Sequence, residues 1–143
     1  MNDKVVYEVL RVIDGKPLFF EDHLERMKNS FDLINEGFLL KNDEIKEMIK
    51  DLINKEKKLC GNIKITYSII EKKLDVFFIK HSYPTDEMYD NGVKVILYFG
   101  ERENPNAKVI NNSFREKVNK EIKKNDAHEA ILVDRNGCIT EGS

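Results

Sequence analysis

Two side chains in the last third of the sequence have types that could do chemistry together. Lys108 follows an irregular segment, and Glu141 lies on a short strand predicted close to Ser143. A lysine amine can bond covalently to a carbonyl cofactor, and a carboxylate can hold a ring nitrogen in its protonated form. Together the two residues predict half of a cofactor site. Taken singly, each is more simply interpreted as an exposed lysine and a strand-end carboxylate.

A second group of polar residues lies near the start of the sequence. His23, Arg26 and Ser30 share one face of a helix predicted over residues 21–35. An arginine on a helix face is a rigid mount for a guanidinium fork, which suits a phosphate group. The simpler interpretation of Arg26 is a solvated arginine or an ion-pair partner, and that of His23 is a partly buried structural residue.

The elements that must position these residues can be predicted from turn signals and hydrophobic periodicity. A strand over 5–13 runs through the tight turn Asp14-Gly15 into an apolar stretch at 17–20. Asn42 is expected to cap a second helix through residue 57. The remaining predictions are strands at 63–69, 74–80 and 93–99, a loop at 81–92, a helix at 113–124 opened by a capping box, and strands at 128–133 and 138–141. The pattern predicts an α+β fold, with an antiparallel sheet and two helices.

Composition narrows the class of protein. The sequence has 143 residues, 41% of them hydrophobic and 35% charged, with a formal net charge of -2. These values are typical of one ordinary soluble domain and argue against nucleic-acid or membrane partners. Neither a phosphate-binding glycine loop nor a zinc-ligand spacing is present, so no metal is predicted. Two distant cysteines and the lack of a signal peptide predict a cytoplasmic protein, with a disulfide left open.

Two motifs, taken in order, resemble the class IV aminotransferases. These are the fold-type IV pyridoxal-phosphate enzymes, which include branched-chain aminotransferases, D-amino-acid aminotransferases and aminodeoxychorismate lyases. The first motif comprises Tyr7-Glu8-Val9-Leu10-Arg11-Val12, Asp14-Gly15, His23-Leu24-Glu25-Arg26 and Ser30. The second comprises Lys108, the strand at 128–133, Asn136-Gly137 and Thr140-Glu141-Gly142-Ser143. Their order and separation make the joint signal far more specific than either motif alone.

The resemblance implies a role for each matching residue. Lys108 matches the lysine that bonds covalently to pyridoxal 5'-phosphate and then moves a proton. Glu141 matches the carboxylate that faces the pyridine nitrogen, and Arg26 matches the arginine that grips the phosphate. Tyr7 matches a tyrosine that lines the pocket near the phosphate and the substrate, while His23 looks like a helper that positions the helix of Arg26.

Departures from the family's pattern bear on the substrate. D-amino-acid aminotransferases bind the substrate carboxylate through an Arg-x-His in the loop after the middle strands, and residues 81–92 contain no arginine. That specificity is therefore disfavoured, and Arg102 is a candidate substitute. The resemblance implies either transamination of an amino acid or lyase-type elimination of pyruvate from an aminodeoxychorismate-like substrate. The sequence does not separate these two reactions.

Domain organisation follows the same resemblance. Residues 1–107 are expected to form the N-terminal α+β domain, and 108–143 the interdomain lysine and an incomplete start of the cofactor-binding C-terminal domain. The sequence is therefore expected to be a truncated form of a homodimeric enzyme, with little activity by itself. The alternative is a non-catalytic α+β module, or a degenerate family member that acts in association.

Overall fold

The structure is a computed structural model that describes residues 4–81, 83–102, 105–110 and 112–143. Its elements in chain order are β1 (Val5–Ile13), β2 (Lys16–Pro17), α1 (Phe20–Leu33), α2 (Asn42–Glu56), β3 (Gly61–Ser68), β4 (Lys73–Ile79), α3 (Asp86–Asn91), β5 (Val95–Phe99), α4 (Asn112–Lys124), β6 (Glu129–Val133) and β7 (Ile139–Gly142). Contacts divide the described residues into a first unit, 4–81 with 105–110, and a second unit, 83–102 with 112–143. No helix in the described ranges is long and apolar enough to cross a bilayer.

The first unit is built on an antiparallel sheet with strand order β2-β1-β3-β4. Alternation along β1 buries Val6, Leu10 and Val12 on one face, as the period of a half-buried strand requires. Asp14 and Gly15 both have positive φ, 49° and 71°, which is the geometry of the two-residue turn predicted there. The apolar stretch at 17–20 is divided between two elements, because β2 ends at Pro17 and α1 already begins at Phe20.

Two amphipathic helices complete the core of this unit, as their periodicity predicts. The buried side chains of α1 and α2 form one cluster with β1 and β3; they are Phe20, Leu24, Met27, Phe31, Ile45, Ile49 and Ile53. The predicted capping role of Asn42 is wrong. Asn42 is the first helical residue, and Lys41 at the cap position makes no side-chain cap hydrogen bond. Asp43 and Glu44 in the first turn place negative charge at the helix N-terminus instead.

The second unit is a three-stranded sheet with order β5-β6-β7 and one covering helix, α4. β5 pairs with β6 in parallel, and β7 returns antiparallel to β6. Because parallel neighbours need a crossover, α4 lies between β5 and β6 in the chain and packs Val118 against Ala130 and Leu132. This pairing places β5 with the C-terminal elements, whereas the predicted boundary between residues 107 and 108 assigned it to the N-terminal domain.

The segment at 81–92, predicted to be a loop, contains a short helix. Thr85 caps α3 at its N-terminus, where its side chain accepts a hydrogen bond from the backbone N–H of Met88 at 3.2 Å. Gly92, with φ of 72°, ends the helix. The threonine cap is a signal that the sequence contained, and Pro84 just before it is compatible with a helix that starts there.

Candidate functional site

The backbone of Lys108 is fixed beside β1. The backbone N–H of Tyr7 donates to the carbonyl of Lys108 at 2.9 Å, and that of Ile110 donates to the carbonyl of Val5 at 2.9 Å. Between these bonds, Val6 and Val109 form an antiparallel bridge. The segment 105–110 thus extends the edge of the sheet over a few residues. A side chain at position 108 therefore starts from a rigid strand.

The amine of Lys108 lies at the ring of Tyr7. Its Nζ is 5.3 Å from the centroid of the Tyr7 ring, and the Nζ of Lys64 is 4.9 Å from the same centroid. Lys64 on β3 pairs with Val9, so strand alternation puts its side chain on the same face as that of Tyr7. One aromatic ring thus carries two ammonium groups within cation–π range. This cluster is electropositive and suited to a ligand with anionic groups.

A buried hydroxyl connects the backbones at positions 26 and 108. The backbone N–H of Lys108 donates to Ser30 Oγ at 3.0 Å, and the Ser30 hydroxyl donates to the carbonyl of Arg26 at 3.0 Å. Ser30 is fully buried, so no water replaces either bond. The helix that carries Arg26 and the segment that carries Lys108 are therefore held together by one side chain.

We expect Ser30→Ala to lower the free energy of unfolding by about 1–3 kcal/mol, because the buried N–H of Lys108 loses its acceptor. Urea unfolding of the variant and the wild type measures the difference. Asn29→Ala, at an exposed position of the same helix, is the matched control because it makes a comparable gain in helix propensity. A loss no larger than that of the control would contradict the structural role of the hydroxyl.

Glu8 is the centre of a second polar cluster. Its side chain is fully buried and accepts hydrogen bonds from Arg26 Nε at 2.8 Å and from Arg26 Nη2 at 2.6 Å. His23 Nδ1 lies 2.9 Å from Glu8 Oε2. The predicted polar face of α1 is thus observed: His23 and Arg26 contact Glu8 on β1, and Ser30 contacts the backbone of Lys108. Both carboxylate oxygens are satisfied, as a buried charge requires.

The shorter of two contacts of His23 favours one tautomer. Nδ1 lies 2.9 Å from the carboxylate and 3.2 Å from Arg26 Nη2, which can only donate. An unprotonated Nδ1 would oppose its lone pair to the carboxylate, so we assign the proton to Nδ1; the imidazole then donates to Glu8, and the approach to Arg26 Nη2 is not a hydrogen bond. His23 therefore supports the carboxylate rather than the arginine directly.

The charge of Arg26 is stabilised by these neighbours. The side-chain hydrogen bond to Glu8 raises the pKa of Arg26 above its ordinary value, against the opposing effect of burial. Electrostatic interaction with Glu8 and, to a smaller extent, with Tyr7 adds to the same direction of shift.

In the second unit, Glu141 is paired with Arg102. Arg102 Nη1 donates to Glu141 Oε2 at 2.8 Å, and the two side chains are 30% and 35% exposed. Glu141 lies on β7, and Arg102 follows β5. The sequence analysis gave these residues different roles, Glu141 at the pyridine nitrogen and Arg102 at the substrate carboxylate. In the structure they form an ion pair with each other.

The structure groups the predicted residues and adds two that the sequence analysis missed. Tyr7, Arg26 and Lys108 lie in the first unit, and Arg102 and Glu141 lie in the second. Glu8 and Lys64 were given no role. The signal for Glu8 was available, since a glutamate occupies a core-facing position of an otherwise apolar alternation. Lys64 gave no such signal, because one lysine on a strand's polar face is ordinary.

One comparison with known proteins identifies a family. The model of the family described as amino-transferase class IV matches residues 5–143. A search of curated proteins with this sequence finds no match. Since the family model covers nearly the whole sequence, the match includes both motifs on which the resemblance was based.

Three solved structures illustrate the likeness in fold. A Thermotoga maritima protein provisionally assigned as a branched-chain amino acid aminotransferase is 26% identical, with a TM-score of 0.80 over 97% of this chain and 50% of that chain. A protein from Legionella pneumophila subsp. pneumophila str. Philadelphia 1, provisionally assigned as a 4-amino-4-deoxychorismate lyase, is 21% identical, with a TM-score of 0.76 over 96% of this chain and 55% of that chain. The branched-chain amino acid aminotransferase of Escherichia coli is 23% identical, with a TM-score of 0.76 over 97% of this chain and 53% of that chain.

These likenesses confirm the predicted fold class. The first unit has the antiparallel sheet and two helices of the N-terminal domain of fold-type IV enzymes, and the second unit adds a three-stranded sheet with the helix α4. The chain spans about half the length of the solved structures that it matches. From the family match and the shared fold together, the chain belongs to the class IV aminotransferase family.

Proposed function

We propose that this chain carries the lysine, arginine and tyrosine of a pyridoxal 5'-phosphate site in a class IV aminotransferase or lyase. The observation that supports this most directly is the amine of Lys108, held 5.3 Å from the centroid of the Tyr7 ring by a segment bonded to β1. The donor set suits the cofactor, since it offers an amine for the aldehyde, a guanidinium for the phosphate and an aromatic ring beside the amine. When bound, pyridoxal phosphate supplies an electron sink for charge at the substrate Cα.

Arg26 is the proposed phosphate ligand. Glu8 occupies the edge of its guanidinium formed by Nε and Nη2, so the edge formed by Nη1 and Nη2 points away from the carboxylate. That second edge is a bidentate fork of the kind that binds phosphate oxygens. Because the Arg26 side chain is 47% exposed, a ligand can reach it.

Lys108 is the proposed point of covalent attachment and the group that moves the proton at the substrate Cα. Its main chain is held on both sides by the bonds to Tyr7 and Ser30, so the amine has a fixed origin. Lys64, on the same face of the sheet, adds a positive charge that would attract a substrate carboxylate. The ring of Tyr7 is within cation–π range of both amines and is proposed to line the pocket that the ligand would contact.

Roles for the pair in the second unit are taken from the family resemblance. Glu141 is proposed to oppose the protonated ring nitrogen, and Arg102 to bind a substrate carboxylate, as the resemblance implies. Their ion pair supports this because it holds the carboxylate in a defined orientation. Ligand binding would have to exchange the Arg102–Glu141 bond for bonds to cofactor and substrate.

The reaction is proposed as transamination of an amino acid or as lyase-type release of pyruvate from an aminodeoxychorismate-like substrate, in a homodimer. Because the chain spans about half the length of the matched structures, the complete activity is proposed for an enzyme of their full architecture. Little turnover is expected from these 143 residues by themselves.

Cofactor titration tests the proposal separately from turnover. Purified chain is mixed with pyridoxal 5'-phosphate, and visible absorbance reports formation of the covalent link. Borohydride then makes that link permanent, and peptide mass mapping locates it. Attachment at Lys108 is the expected result. Absence of any absorbance change and any adduct would contradict cofactor binding by this chain.

A non-catalytic module is the second candidate, and a specific observation favours it. Both proposed ligand-binding arginines are already paired with carboxylates, Arg26 with Glu8 and Arg102 with Glu141. Such pairs are also what a purely structural protein would contain. The two candidates differ in the titration above, because a structural module would take up pyridoxal 5'-phosphate only at scattered surface lysines and without saturation.

A further inference from the structure

We propose that Glu8 is a positioning residue that aims the guanidinium of Arg26 at an oxyanion. The inference rests on the proposed function, in which Arg26 binds the cofactor phosphate. Glu8 itself touches neither cofactor nor substrate in this proposal, and acts only through Arg26. This role would also explain why a carboxylate occupies a position of β1 where an apolar side chain would be expected.

Hydrogen bonds to Glu8 occupy the edge of the Arg26 guanidinium formed by Nε and Nη2, and the edge formed by Nη1 and Nη2 is directed away from the carboxylate. The bonds from Nε and Nη2 to the two oxygens of Glu8, at 2.8 and 2.6 Å, form a bidentate pair that fixes the plane of the guanidinium. Among the residues that the structure describes, none accepts a hydrogen bond from Nη1. The direction in which the remaining N–H groups point is therefore set by a buried carboxylate on a rigid strand.

Location separates this pair from an ordinary surface ion pair. Glu8 is fully buried between the core residues Val6 and Leu10 on β1, whereas Arg26 is about half exposed. Burying the carboxylate costs free energy that an apolar residue of similar size would not, so stability alone gives little reason for a glutamate there. An arginine restrained before its ligand arrives loses less side-chain entropy on binding.

His23 completes the support of the carboxylate. Its Nδ1–H donates to Glu8 Oε2, the oxygen that also accepts from Arg26 Nη2. With three hydrogen bonds from two side chains of α1, the Glu8 carboxylate cannot rotate without breaking at least one of them. The orientation of Arg26 is thus determined by a network rather than by one contact.

Charge and position make opposite predictions for Glu8→Gln, which allows a sharp test. The substitution removes a negative charge beside Arg26, so simple electrostatics predicts tighter binding of a phosphate. If Glu8 orients the guanidinium of Arg26, the substitution instead predicts weaker binding of the phosphate. We compare pyridoxal 5'-phosphate with pyridoxal, which lacks the phosphate, because the ratio of their Kd values isolates the phosphate interaction from the rest of the ligand.

We expect Glu8→Gln to weaken binding of pyridoxal 5'-phosphate by about tenfold while leaving the Kd for pyridoxal unchanged. Glu8→Asp keeps the charge but withdraws the carboxylate by one methylene, and it should weaken binding of pyridoxal 5'-phosphate by a similar factor. The aspartate variant replaces Glu8→Gln in this test if the glutamine variant does not fold. Glu25→Gln, an exposed neighbour of Arg26 on α1 with the same change in charge, should have no effect on the ratio.

The variants also separate this inference from the function on which it rests. Arg26→Met should reduce the preference for the phosphorylated ligand more than any variant of Glu8. If it does, but Glu8→Gln and Glu8→Asp bind as tightly as the wild type or tighter, Glu8 does not position Arg26. If the wild type itself binds pyridoxal as tightly as pyridoxal 5'-phosphate, the phosphate role of Arg26 is wrong and the inference falls with it.

Discussion

Replacing Lys108 by alanine is expected to abolish covalent attachment of pyridoxal 5'-phosphate. Borohydride reduction followed by mass spectrometry should find a stoichiometric adduct in the wild type and only background labelling in Lys108→Ala. The reason is chemical, since the amine is the only part of the side chain that can bond to the cofactor's aldehyde. The fold should survive, because the backbone bonds of Lys108 to Tyr7 and Ser30 do not involve its side chain.

Lys64→Ala is the matched control for this experiment. Lys64 is the other amine beside the Tyr7 ring, at 4.9 Å from the centroid against 5.3 Å for Lys108. If proximity to Tyr7 alone governed reactivity, the two variants would lose the adduct equally. We expect Lys64→Ala to keep it, and both variants to unfold in urea within about 0.5 kcal/mol of the wild type. An adduct that persists in Lys108→Ala would show that another lysine is the attachment site.

Local sequence patterns predicted most of the first unit. The bounds of β1, the Asp14-Gly15 turn and the buried faces of α1 and α2 follow from periods of two and 3.6 residues, which report burial directly. The pairing of β5 with β6 did not follow. Parallel partners are separated by a helix in the chain, and no local pattern records which distant strand lies beside a given one.

The same distinction applies to the candidate site. The helical period placed His23, Arg26 and Ser30 on one face, but it could not name Glu8 as the partner of His23 and Arg26, or the backbone of Lys108 as the partner of Ser30. Family resemblance assigned Glu141 and Arg102 separate tasks, and their ion pair appears only when β7 and the end of β5 are in place. A single sequence specifies faces and residue types, whereas partners depend on the tertiary fold.

Replacing Arg26 by methionine should have the largest effect on stability. Arg26→Met leaves the fully buried carboxylate of Glu8 with His23 as its only remaining side-chain partner among the described residues. Removing one partner of a buried ion pair costs about 3–5 kcal/mol, and we expect about 3 kcal/mol here because the Arg26 side chain is 47% exposed. The free energy of unfolding in urea measures the loss. A loss below about 1 kcal/mol would show that the buried side chain of Glu8 does not need Arg26 as a partner.

The double variant Glu8→Leu/Arg26→Met separates the structural task of this pair from its proposed task in binding. Leucine at position 8 continues the apolar row of Val6 and Leu10 on β1, so no buried charge is left without a partner. Apolar replacement of a buried ion pair is often neutral or stabilising, and the double variant should therefore regain most of the stability that Arg26→Met loses. It should still bind pyridoxal 5'-phosphate no better than pyridoxal, because the phosphate ligand is gone. If stability and phosphate preference returned together, Arg26 would not be the phosphate ligand. If neither returned relative to Arg26→Met, Glu8 would have a packing role beyond its charge.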